Sequence, residues 1–78
     1  MRYEHDGITI DPEICGGKAT ITGHRITVQT VLEYLGAGDT PETILEYYSS
    51  LTAEDIAACL RFAARSAGRR HQLVKSAV

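Results

Sequence analysis

Hydrophobic periodicity changes once along this chain, at Thr27-Val28, and that change divides what can be strand from what can be helix. Before it, Ile8-Thr9-Ile10 alternates, is rich in β-branched residues, and stops at Asp11-Pro12. Cys15-Gly16-Gly17-Lys18 reads as a flexible turn. Residues 19–22 and 25–28 are short β-prone pieces separated by Gly23-His24. A short β-hairpin or arm over residues 1–27 is expected, leaning on the helical part of the chain, because a minimal hairpin is marginal alone. After the change, Val28, Val31, Leu32 and Leu35 fall at i, i+3, i+4 and i+7.

Three helix starts are written in the second part. Thr27 caps the first helix, with Gly36 or Gly38 as its stop. Thr40 caps the second, which has Pro41 at its first position and Glu42 in its first turn, and which ends near Ser49-Ser50. Thr52 opens the third with Asp55 three residues on, while Leu51 and Ile56 occupy the staple positions. Counting about 100° per residue from Ile56, Cys59, Leu60, Ala63 and Ala67 share one face. Arg61, Arg65 and Arg69 fall opposite. These signals predict a mainly α fold: one domain over residues 1–67, with a basic tail at 68–78. Helices two and three have helix-turn-helix dimensions.

Size bounds the function. A chain of 78 residues with 19 large aliphatic or phenylalanine side chains builds one small core. Deep substrate pockets and large cofactor sites are not expected, and a homodimer is, with strand exchange through residues 8–28 as its interface. No apolar stretch approaches the roughly 18 residues of a membrane span. Cys15 and Cys59 lie far apart, without a paired motif, and read as free thiols of a cytoplasmic protein.

Charge is unevenly spread. Residues 1–60 carry a net −7, whereas residues 61–78 carry +5. The basic block suggests an anionic partner. Arg61, Arg65 and Arg69, four apart on one helix face, are the candidate DNA contacts, through phosphates or guanine edges. Glu54 and Asp55 oppose that reading, because they sit where a recognition helix points at bases. The segment Arg69-Arg70-His71-Gln72-Leu73-Val74-Lys75 sets cations around an apolar pair. Arg70, Leu73 and Val74 are therefore candidate contacts to a protein groove.

Catalytic motifs are lacking. Lys18 follows Gly16-Gly17, but Pro12 and Ala19 break the phosphate-loop pattern. His5, His24, His71, Cys15 and Cys59 have no metal-ligand spacing. No nucleophile, base and carboxylate are arranged by local motif. The reading is a binding protein without cofactor or metal. Arg25 stands out in the extended region as a candidate partner contact. Its structural alternative is an ion pair with Glu33 or Glu46.

Residues 14–64 carry the texts ICGGKATITGHRITV and YLGAGDTPETILEYYSSLTAEDIAACLRFAA. They resemble a small prokaryotic domain family of unknown function, often encoded beside a PIN-like toxin. Its pattern runs I-x-G-G-x-P-x-I-x-G-T-R-I-x-V, then L-x-x-G-x-S-P-E-E-I-L-x-x-Y-P-x-L-T-x-E-D-I. Ala19 and Ser49 replace prolines of that pattern, and His24 replaces a threonine. The resemblance implies a homeodomain-like three-helix unit with an N-terminal β element, often dimeric. It further implies an antitoxin that neutralises a PIN-like ribonuclease toxin, with operator DNA as a second partner. The competing expectation is a stand-alone helix-turn-helix transcriptional regulator.

Overall fold

The structure, a computed structural model, describes residues 2–68. Three strands come first: β1 (Tyr3–His5), β2 (Ile8–Ile10) and β3 (Thr20–Ile21), joined as an antiparallel sheet in the order β1-β2-β3. Asp6 and Gly7, at φ +53 and +81, make the two-residue connection between β1 and β2. Two successive left-handed residues match the right-handed strand twist, and Asp-Gly is the dipeptide that tolerates them. The register pairs His5 with Ile8 and Tyr3 with Ile10; β2 then pairs Ile8 with Ile21. One 3-10 turn at Cys15–Gly17 lies between β2 and β3. Past β3 the chain loops back, and a bridge between Thr20 and Thr27 closes residues 21–26.

The three helices are α1 (Val28–Gly36), α2 (Pro41–Tyr47) and α3 (Ala53–Ala67). Each begins at the threonine the sequence assigns. The hydroxyls of Thr27, Thr40 and Thr52 accept from the amides of Thr30, Thr43 and Asp55. At α3 the exchange is reciprocal, since the Thr52 amide donates to the Asp55 carboxylate at 2.9 Å. Aspartate thus completes a capping box usually written with Glu or Gln.

The core joins both parts of the chain. Ile8 and Ile21 from the sheet are fully buried, with Val31 of α1, Ile44 of α2 and Cys59 of α3. Leu51 and Ile56 close the bottom of α3. This corrects the expected mainly α, homeodomain-like helix-turn-helix fold. The fold is α+β, a three-stranded antiparallel sheet with three helices. The N-terminal residues form a sheet instead of an arm because Ile8, Thr9, Thr20 and Ile21 are core positions that α3 covers.

The helical phase of α3 also needs correcting. Leu60 is 48% exposed, whereas Ala58 and Cys59 are buried and Phe62 packs against the core. Ile56 lies at the margin of the buried arc, so counting outward from it displaces the inferred face.

Candidate functional site

Asp6 organises the charged surface of α3. Held at the tip of the β1–β2 turn, its carboxylate accepts two bonds from Arg61, from Nε at 2.9 Å and Nη2 at 3.1 Å. Arg65 adds a third from Nη1 at 3.3 Å. Glu54, two turns earlier on α3, accepts from Arg61 as well. The Arg61 guanidinium holds the Asp6 carboxyl below its ordinary value, and Asp6 raises Arg61 in return. Two of the three candidate DNA-binding arginines are thus gathered, but around the protein's own carboxylates. Arg69, Arg70, Leu73 and Val74 lie outside the described residues.

Phe62 marks a second feature. Its ring borders an apolar recess of about 460 Å³, walled by Ala19 before β3 and by Val28 and Leu32 of α1, with Lys18 and Glu33 at the rim. On its other side Phe62 helps line a recess of about 340 Å³ with Tyr3 and Ile10. Tyr3 is itself 48% exposed. Apolar side chains left open between polar rims are what a protein partner covers.

A third recess, of about 220 Å³, gathers Arg2, His24 and Arg25 beside Thr20 and Gly23. The ion pair expected for Arg25 with Glu33 or Glu46 is not made: among the described residues, no carboxylate lies within 4 Å of it. The recess forms because the 21–26 loop folds back over β3, with Gly23 in the left-handed region at φ +85.

The thiols differ. Cys59 is buried, and burial pushes its pKa to about 11. Cys15 is half-buried, and its thiol donates to the Arg25 carbonyl at 3.4 Å. Among the described residues, no three His, Cys, Asp or Glu side chains are gathered as a metal ion would need. No described helix is long and apolar enough to cross a membrane.

Asp6, Phe62 and Arg2 escape the reading of the sequence. Asp6 had a signal, since Asp-Gly between two short strand-like runs marks a hairpin. Phe62 falls off the face counted from Ile56. Arg2 joins its site through the pairing of β1 with β2 and of β2 with β3, and the second of these no local pattern encodes.

Residues 8–63 match the family described as "Protein of unknown function (DUF433)". The chain belongs to this family. The matched DUF433 region begins at β2 and runs into α3, so it holds Phe62, Arg61 and the 21–26 loop but not Asp6. The resemblance drawn from residues 14–64 thereby stands at the level of a domain family of unknown function. The chain is also similar to a DUF433 member from Anabaena variabilis solved by crystallography, with 36% identity and a TM-score of 0.73. That match covers 78% of this chain and 60% of the Anabaena chain. None of the curated proteins matches.

Proposed function

We propose that this DUF433 chain is a protein-binding module, the antitoxin of a toxin–antitoxin pair whose partner is a PIN-like ribonuclease. The observation that carries the reading is the state of Arg61 and Arg65. Their guanidiniums are turned onto Asp6 and Glu54, so the α3 surface offers a phosphate backbone little unbalanced positive charge. Residues 2–68 hold all ten acidic side chains and only five basic ones, a net −5. Glu54 and Asp55 also occupy the end of α3 that a recognition helix would present to bases. The apolar recess beside Phe62 supports a protein partner instead.

In this reading the toxin covers the Phe62 recess. The basic segment with Arg70, Leu73 and Val74 brings cations to the toxin's acidic metal-binding centre, where charge complementarity blocks the ion or the RNA. The module acts in the cytoplasm as a homodimer. Autoregulation at operator DNA is a separate part of the proposal, assigned to Arg69 with whatever Arg61 and Arg65 contribute once freed.

Co-expression with the product of the adjacent gene, followed by size-exclusion chromatography and a ribonuclease assay, tests the reading. Co-elution with suppressed nuclease activity is the expected result. Separate elution with undiminished nuclease activity would overturn it. Selective binding of one operator fragment, with a steep loss of affinity in salt and no toxin complex, would establish the transcriptional regulator instead.

A further inference from the structure

We propose that the Arg2–His24–Arg25 recess is a carboxylate-binding site, filled by an aspartate or glutamate side chain of the protein partner. The backbone that carries Arg25 is pinned on several sides. The Ile21 amide donates to the Ile26 carbonyl at 3.0 Å, and the His24 amide to the Ile21 carbonyl at 2.9 Å. The Cys15 thiol holds the Arg25 carbonyl itself. The side chain, by contrast, is exposed, with no carboxylate in reach among the described residues. A fixed backbone under an unpaired guanidinium is the arrangement that presents a planar fork to an incoming carboxylate with little further ordering.

Neighbouring groups set the ligand's charge. Arg2 lies 3.7 Å from Glu4 and 3.9 Å from Asp11, longer than a charge-assisted hydrogen bond, so it is balanced loosely by two acids. Those acids leave Arg25 as the unbalanced cation of the recess and oppose a second negative charge on the ligand. A monoanionic carboxylate fits; a phosphate dianion or a nucleic-acid backbone meets Glu4 and Asp11. Half-buried His24 completes the wall with a ring that can donate one further hydrogen bond. The site thus differs in sign and place from the Asp6 cluster, where cations are already neutralised.

Only the identity of the partner rests on the antitoxin reading; the carboxylate site itself does not. The full chain, labelled with nitrogen-15, is titrated with a capped glycine peptide carrying one central glutamate, and with the same peptide carrying glutamine as control. Saturable shifts confined to the amides of Gly23, His24 and Arg25 are expected with the glutamate peptide and absent with the glutamine one. Arg25→Ala should weaken binding about tenfold or more, Arg25→Lys less, and both variants should melt with the parent, since the side chain supports no packing. Shifts elsewhere, or a titration that Arg25→Ala leaves unchanged, would overturn the site. Tighter binding of inorganic phosphate, or displacement of the peptide by a duplex oligonucleotide, would overturn the assignment to a protein carboxylate. A positive titration beside a failed toxin complex would sink the antitoxin reading alone.

Discussion

Replacing Ile56 and Leu60 by alanine, one at a time, tests the packing of α3 most sharply. Both changes remove the same number of carbons, yet the structure assigns them different costs. Ile56 is 2% exposed. At about 0.8 kcal/mol per buried carbon, truncation beyond Cβ forfeits roughly 2.4 kcal/mol of transfer energy. A residual void of roughly 60 Å³ at ~24 cal/mol per Å³ brings the loss near ~4 kcal/mol. A chain of this length has about 4–12 kcal/mol in all. The Ile56→Ala protein should therefore melt about 15–30 °C lower, or fail to fold at 37 °C. Leu60 is 48% exposed, so its transfer term is about half as large, and water fills the space it vacates. Leu60→Ala should cost about 1 kcal/mol and lower the midpoint by about 5–10 °C. Circular dichroism at 222 nm against temperature, at two protein concentrations, reads both. Equal drops, independent of concentration, would refute the assigned face of α3.

Further predictions concern the turn and the thiols. Asp6→Asn keeps a residue that tolerates φ +53 but removes the ionic clasp on Arg61 and Arg65, so the urea midpoint at neutral pH should fall. Because the folded-state pKa of Asp6 is depressed, its contribution is full above the ordinary carboxylate range and lost as pH falls through the folded value. The gap between parent and variant should close in acid, and a gap that persists there would contradict the clasp. Gly7→Ala forces a side chain onto φ +81 and sets its Cβ 3.4 Å from that of Ala58; a cost of about 1–2 kcal/mol is expected in thermal melts. Ellman's reagent at pH 8 should modify Cys15 in the native protein and reach Cys59 only in urea, because burial keeps the Cys59 thiol protonated up to about pH 11.

The helices were legible because each declares itself locally. Thr27, Thr40 and Thr52 cap by bonds that span three residues, and no distant contact is needed to place them. The sheet was less legible. Tyr3, Glu4 and His5 are all exposed, so β1 shows no alternation of buried and exposed positions, and its pairing with β2 rests on the Asp6-Gly7 turn alone. Burial of Ile8 and Ile21 under α3 is a contact between distant parts of the chain, which periodicity cannot report. Of the expected arginine stripe, Arg69 lies outside the described residues, and Arg61 and Arg65 both reach Asp6. Their neutralisation comes from that aspartate, 55 residues away from Arg61, and sequence spacing carries no record of that. Arg25 stands out by residue type, but the alternative ion pair with Glu33 or Glu46 is not made, because the 21–26 loop sets it in a recess with Arg2 instead.

The chain has no tryptophan and four tyrosines, and three of these meet where α1 and α2 join. Tyr34 lies 5.3 Å from Tyr47 and 6.1 Å from Tyr48, centroid to centroid, and Tyr3 alone lies in the sheet. Intrinsic ultraviolet fluorescence and near-ultraviolet dichroism therefore weigh toward one corner of the molecule, with Tyr3 as the sheet's lone contributor. They will chiefly follow the docking of α1 on α2, and the 21–26 loop carries no tyrosine of its own, so an optical titration that shows nothing says little about that loop. A tryptophan at Tyr3, on the exposed edge strand beside Ile10, would give the sheet its own reporter.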